Sequence, residues 1–293
     1  MNATTPAQLT TSGSSRSIGD ILVASGRISA DDLRQILSRQ RQDHVPFGEA
    51  AIALHLLTKE DINFALSKQF DYAYLTPHDS SLSPSLVAAY TPFSRVGENL
   101  RAVRSQLMLR WFNGDPMRKV LAVVSPGVKD GRSFIAANLA IVFAQQGERT
   151  LLIDADLRAN PDSGQQSLFK LPRGNGLSGV LAERAGLDAI QLVPGLPGLA
   201  VLASGAMPPN PQELLGRPTF GQLLLSVVDE FDVILVDTPN GSHFADAEII
   251  AARTGAAIMV GRVNKSSVPE TSLLARRLQE GGVTLVGSVL NDF

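Results

Sequence analysis

Three short segments of the 293-residue chain carry side chains suited to phosphate chemistry. The first reads Ser125-Pro-Gly127-Val128-Lys129-Asp130-Gly131-Arg132-Ser133-Phe134; it follows the apolar run 119–124 and precedes a helical pattern reaching Gln146. A glycine-containing turn between a strand and a helix aims backbone N–H groups and a helix N-terminus at one point, which is what a phosphate cradle requires. Against the phosphate-loop pattern G-x-x-x-x-G-K-[ST], the segment has Pro126 at the first glycine, with Gly127 beside it, and Arg132 at the lysine. The second segment ends an apolar run at Asp154 and adds Asp156 and Arg158; the third is Asp232-Val-Ile-Leu-Val-Asp237 followed by Thr-Pro239. Strand ends of a parallel sheet share one edge, so Asp154, Asp156 and Asp237 are expected to converge on the loop. A carboxylate together with the Ser133 hydroxyl suits Mg²⁺, which takes few protein ligands beside phosphate oxygens.

The elements that must position these groups follow from the hydrophobic pattern. Residues 119–293 alternate apolar strands (119–124, 151–154, 232–237, 256–260 and 283–290) with helical stretches, the signature of a parallel α/β sheet flanked by helices. Upstream, residues 95–112 read as one amphipathic helix with Val96, Leu100, Val103, Leu107 and Leu109 apolar. On that helix Glu98, Arg101 and Arg104 fall three apart and so share one arc. Taken alone, such an arc is a solvated face. Residues 76–92, with Pro77, Pro84, Pro92 and several serines, read as a linker.

The front of the chain repeats itself. Ile18-Gly19-Asp20 matches Phe47-Gly48-Glu49, and Ser29, Asp32, Leu33, Leu37 and Gln40 match Thr58, Asp61, Ile62, Leu66 and Gln69, every pair at the same offset. Ser29 and Thr58 are placed to cap helices whose apolar residues recur at helical spacing. Residues 17–75 therefore read as a small helical domain of two equivalent halves, after a polar, aperiodic segment 1–16 that reads as a disordered tail.

Composition narrows the chemistry. The 26 basic and 28 acidic residues leave a net charge of −2, which gives no electrostatic reason to bind nucleic acid or an anionic membrane. No cysteine is present, which excludes disulfides, thiolate metal sites and thiol nucleophiles, and four histidines leave little for zinc. The N-terminus lacks the apolar core of a signal peptide and no uninterrupted apolar run is long enough to span a membrane, so a cytoplasmic location is expected.

The segments SPGVKDGRSFIAANLA, LLIDADLR, FDVILVDTP, PPNPQELL and GSVLN together resemble the bacterial tyrosine kinases (BY-kinases) of polysaccharide export, and more closely the EpsG-type chain-length determinant tyrosine kinases. The resemblance covers residues 90–293; LLIDADLR belongs to the deviant Walker A/A′ group that also holds MinD and ParA, and implies that P-loop fold. It implies ATP and Mg²⁺ as ligands, bound by Gly127, Val128, Lys129, Asp130, Gly131, Arg132, Ser133 and Phe134. Ser133 and Asp154 would hold Mg²⁺, with Asp237 reaching it directly or through water. Arg132 would stand in for the phosphate-binding lysine, Asp156 would receive the tyrosine proton, and Asn291 would meet the base. Glu98, Arg101 and Arg104 match the subunit-contact motif of a ring oligomer. The implied partner is a membrane chain-length determinant of the Wzz type, which recruits the protein to the inner membrane. The front repeat resembles the MshEN module of type II secretion and pilus ATPases, some of which bind cyclic di-GMP. Here the motif's leading arginines are Ser17 and Pro46, and a docking or regulatory module without ligand is the other reading. No tyrosine-rich tail precedes the final VLNDF, which leaves Tyr72, Tyr74, Tyr90 or another protein as the acceptor. Arg132 and the missing tail also admit a nucleotide-dependent assembly switch without kinase activity. A MinD- or ParA-type ATPase is a third reading, although Gly127 stands where its signature lysine belongs.

Overall fold

Among the described residues, three of the four helix starts in the front of the chain are set by hydroxyl side chains. The computed structural model describes residues 17–70, 73–76, 79–160 and 163–292, so the expected tail at 1–16 lies outside the described residues. The chain divides between Ala73 and Tyr74 into two units. In the first, α1 (Ile18–Ala24), α2 (Ala30–Asp43), α3 (Phe47–Ala53) and α4 (Lys59–Gln69) reproduce the repeat. Ser29 and Thr58 cap α2 and α4, and Asp32 and Asp61 reach back to the cap backbone; each box satisfies N–H groups that a helix start leaves bare. Ser17 caps α1 in the same way, whereas Pro46 gives α3 no side-chain cap. The repeated glycines have a packing reason. A Cβ at Gly19 would stand 2.5 Å from Leu33 Cδ1, and one at Gly48 3.4 Å from Ile62 Cγ2. Leu22, Ile36, Ala50, Ala51 and Ala65, all fully buried, form this unit's own core.

The second unit is a seven-stranded sheet of order β3-β4-β2-β5-β1-β6-β7. Its strands are β1 (Val120–Val124), β2 (Thr150–Asp154), β3 (Gln191–Leu192), β4 (Leu199–Leu202), β5 (Val233–Asp237), β6 (Ala256–Arg262) and β7 (Thr284–Asn291). All pair in parallel except β3 with β4. Its helices are α5 (Val87–Tyr90), α6 (Arg95–Arg110), α7 (Arg132–Ala144), α8 (Gly164–Leu168), α9 (Gly176–Leu181), α10 (Pro211–Gly216), α11 (Pro218–Val227), α12 (Asp246–Thr254) and α13 (Val268–Glu280). Alternate strand residues bury into two cores. Leu121, Val123, Leu152 and Leu235 face the layer of α7, while Ala122, Leu151, Ile153, Ile234 and Val236 face Leu214, Phe220, Ile250 and Leu274.

Two expectations change. The described residues of 76–92 are no linker: Leu82, Leu86, Ala88 and Ala89 are buried in the α7-side core. Ala88 N–H donates to Asn138 Oδ1 at 2.9 Å, Gln145 Nε2 donates to the Ala88 carbonyl at 2.9 Å, and Ser83 N–H donates to the Leu168 carbonyl at 2.8 Å. Prolines and serines set the composition of this strap, but four small or branched apolar residues set its place. The helix expected over 95–112 ends at Arg110, and its apolar stripe is Leu100, Val103 and Leu107. Val96 is 39% exposed and Leu109 75% exposed, because at ~100° per residue Leu109 falls well off that line.

Candidate functional site

The loop after β1 is a self-braced turn. Ser125 Oγ donates to the Gly127 carbonyl at 3.0 Å, and Gly127 N–H donates to Asp130 Oδ2 at 2.7 Å. Gly131, at φ +95°, is the N-cap of α7, and no side chain caps that helix. Its first-turn N–H groups are therefore left for an anion. Glycine is required at this point, since a Cβ would stand 2.0 Å from Asn291 Nδ2. That same amide donates to the Asp130 carbonyl at 3.1 Å. Asn291, 5% exposed at the end of β7, thus buckles the loop from beneath. With Phe134, Arg95 and Asn99 it also lines a hollow of about 320 Å³ beside the start of α7. Two cations unremarked in the sequence hold the loop's outer side: Lys265 Nζ donates to the Val128 carbonyl, and Arg262 Nη1 to the Lys129 carbonyl at 3.2 Å.

Facing the loop, β2 and β5 are neighbours in register, with Asp154 opposite Asp237. Both carboxylates are buried and Asp156 is nearly so. Burial, and then the charge of Asp237, pushes Asp154 well above the usual carboxylate range. Burial raises Asp237 too, against the pull of Arg132 and of hydrogen bonds from Ser133 and Gln165. Asp156 is raised by burial and held back by Arg132. Arg132 does not extend into open space as a phosphate-binding lysine would. Its Nη1 donates to Ser125 Oγ at 2.8 Å, its Nη2 lies 3.3 Å from Asp156 Oδ2, and its Nε lies 3.3 Å from Asp237 Oδ1. One guanidinium thus faces two carboxylates and a hydroxyl.

Asp154, Asp156 and the loop border a cleft of about 530 Å³ that Arg158, Asn240 and Phe244 also line, with Asp237 buried behind it. Arg158 stacks 3.8 Å from the Phe244 ring and pairs with buried Asp246 at 2.5 Å. The donor set fits Mg²⁺. It offers hard oxygens in negative excess; Gln165 Oε1 is buried without a hydrogen-bond partner, and Asp237 Oδ1 meets only Arg132 Nε at 3.3 Å. Among the described residues no group of three or more acids or histidines is placed to hold a metal ion by itself.

The structure therefore brings together the loop, Arg132, Ser133, Asp154, Asp156 and Asp237, as their strand-end and loop positions imply. Phe134 and Asn291 belong to the flanking hollow. Glu98, Arg101 and Arg104 sit on α6, apart from the cleft. Glu98 and Arg101 form an ion pair, but Arg104 turns onto its own unit, where its Nη1 donates to the Val142 carbonyl at 2.8 Å. Sequence reasoning missed Gln165, 0% exposed among the acids. No motif marks it, and only the positive φ demanded of the neighbouring Gly164 hints at a close approach.

A mostly parallel sheet with a phosphate loop and converging strand-end acids defines a P-loop nucleotide-binding protein. No family model matches the chain. It is 32% identical over 205 residues to the tyrosine-protein kinase Etk of Escherichia coli K12, covering 70% of this chain and 28% of Etk. A Klebsiella pneumoniae relative from the cps region is 31% identical over 217 residues, 74% of this chain and 29% of its own. The solved kinase domain of Escherichia coli Etk is 32% identical with a TM-score of 0.67, over 76% of this chain and 85% of that domain. The chain belongs to the bacterial tyrosine-protein kinase family. It spans less than a third of the length of these curated relatives. Among the described residues no helix is long and apolar enough to cross a membrane.

Proposed function

We propose that this chain is a cytoplasmic, ATP-binding protein-tyrosine kinase that regulates the chain length, polymerisation and export of an exopolysaccharide. The observation that carries this reading is the meeting of Asp154, Asp156 and Asp237 with the uncapped start of α7. In it, the loop N–H groups and α7 bind the triphosphate, Ser133 and Asp154 hold Mg²⁺, and Asp237 supports it. When bound, Mg²⁺ supplies charge compensation for the transferred phosphoryl group. The acceptor tyrosine Oη attacks the γ-phosphorus, the bond to the β-phosphate oxygen breaks, and the proton passes to the Asp156 carboxylate. Tyr90 is a poor acceptor, because its hydroxyl is bonded to the Leu82 N–H at 3.1 Å and the Leu82 carbonyl at 3.0 Å. The acceptor is then Tyr72, Tyr74 or another protein.

A membrane partner of the Wzz type recruits and activates the protein at the inner membrane, and Glu98, Arg101 and Arg104 mediate a ring of copies. The front repeat serves as a docking or regulatory module, its cyclic di-GMP option resting on the MshEN resemblance alone. The cps-region relative supports the polysaccharide assignment. Phosphotyrosine mass spectrometry after incubation with ATP and Mg²⁺, with and without the partner's cytoplasmic segment, tests the reading: modified tyrosines are expected, and none in either arm would refute it.

The engaged Arg132 favours a second reading, a nucleotide-dependent assembly switch without transfer. A guanidinium tied to Asp156 and Asp237 is bulkier and more rigidly forked than an ammonium. Arg132→Lys separates the two, since a hampered kinase gains rate and a switch shows no transfer in either form.

A further inference from the structure

Gln165 contacts all three residues expected to hold the metal: the Asp154 and Asp237 carboxylates and the backbone carbonyl of Ser133. Its backbone N–H donates to Asp154 Oδ2 at 3.0 Å. Its side-chain Nε2 donates to Asp237 Oδ2 at 2.8 Å and to the Ser133 carbonyl at 3.1 Å. Both amide protons are spent in this way, while Oε1 is buried with no partner. The close approach depends on the preceding residue. Gly164 sits at φ +70°, and a Cβ there would stand 2.7 Å from Asp154 Oδ2. A buried polar atom without a partner is destabilising, so packing alone would select an apolar side chain at this fully buried position.

We propose that Gln165 is the positioning residue of the metal site. Its three hydrogen bonds fix Asp154, Asp237 and Ser133 relative to one another. They also aim the carboxylate lone pairs, because an oxygen that accepts from Gln165 is restrained from swinging onto the Arg132 guanidinium. Its Oε1 remains to accept from a donor that arrives with the nucleotide and its metal. This inference rests on the nucleotide–Mg²⁺ reading of the cleft.

The test is the Mg²⁺ concentration that gives half-maximal ADP binding to the full chain, measured by calorimetry for wild type, Gln165→Met and Gln165→Asn. Loss of a partner that orients a metal ligand costs about 10–100-fold in metal affinity, so the half-point is expected to rise by about tenfold or more in Gln165→Met. The rise should be smaller in Gln165→Asn, which keeps a side-chain amide, whereas both variants keep the backbone bond to Asp154. ADP affinity in EDTA should stay within about twofold of wild type, because the loop N–H groups are untouched. A half-point unchanged in either folded variant, or an equal loss in EDTA, would overturn the positioning role. If Gln165→Met does not fold, Gln165→Asn decides the matter. Should wild type bind ADP equally well with and without Mg²⁺, the reading beneath the inference fails as well.

Discussion

The front repeat and the phosphate cleft bury their residues under opposite rules. In the repeat the core is almost wholly apolar, and polar groups at the helix starts are satisfied within three residues by capping boxes. In the cleft Asp154, Asp237, Gln165 and Arg132 are buried together, Gln165 Oε1 lacks a hydrogen-bond partner, and Asp237 Oδ1 meets only Arg132 Nε at 3.3 Å. A few orphaned groups in a native protein call for an explanation, and a site awaiting an ionic ligand supplies one. The repeat is built to stand by itself; the cleft keeps unfavourable electrostatics that a bound metal and nucleotide would relieve.

The comparison breaks most sharply at Asp154. Asp154→Ala should weaken Mg²⁺-dependent ADP binding by about 100-fold or more, since a metal-holding carboxylate is removed, while the melting temperature without nucleotide does not fall. Parallel calorimetry and thermal melts of the one variant check both halves. A melting temperature that fell sharply with the binding would make Asp154 a structural residue.

In the repeat the same kind of truncation should act only on stability. Ile36, fully buried, has no polar role, and Ile36→Ala should cost about 2–5 kcal/mol in urea unfolding of the front unit. ADP affinity should not change. Equal damage to ADP binding would mean that the two units do not stand independently.

The pH dependence sharpens the contrast next. Burial pushes Asp154 from the ordinary 3.8 up to about 8, so the folded state holds this proton more tightly than the unfolded chain does. The resulting penalty is absent below 3.8 and complete above about 8. The nucleotide-free protein should therefore melt at progressively lower temperature as pH rises through that window, and Asp154→Ala should flatten the trend. A melting temperature that climbed with pH over the same range would contradict the assignment.

Smaller effects belong to the surface. Thr58→Ala removes one capping box and should cost about 1 kcal/mol, read by the urea midpoint of the front unit. On α6, concentration-dependent oligomers should weaken with salt and be disrupted by Arg101→Ala with Arg104→Ala in light scattering, with nucleotide affinity unchanged. The loss of the Arg104 bond to Val142 should cost only about 1–2 kcal/mol of stability. A wild type that stays monomeric at every concentration would return these charges to a solvated face.

Much of this contrast was legible in the residues. The repeat announced itself because Gly19, Gly48, Ser29 and Thr58 each answer a local demand, close packing or an N-cap, that one residue type meets. The five longer strands and their terminal acids were legible because apolar runs end abruptly at Asp154 and Asp237. β3 and β4 escaped, for a two-residue edge strand and a four-residue buried run among Pro194, Gly195, Pro197 and Gly198 carry no periodicity. The strap before α6 escaped because its partners, Asn138 on α7 and Gln145 at its C-cap, lie about fifty residues away in the chain. Gln165 and the inward turn of Arg132 depend wholly on tertiary neighbours, and no local pattern encodes such contacts.

The central claim, that the cleft is an electrostatic site completed by metal and nucleotide, is tested most directly by titrating ADP into the wild-type chain with Mg²⁺ and again in EDTA. The account predicts an affinity about tenfold or more tighter with Mg²⁺, since the buried acids repel a bare diphosphate. Equal affinity under the two conditions would contradict it.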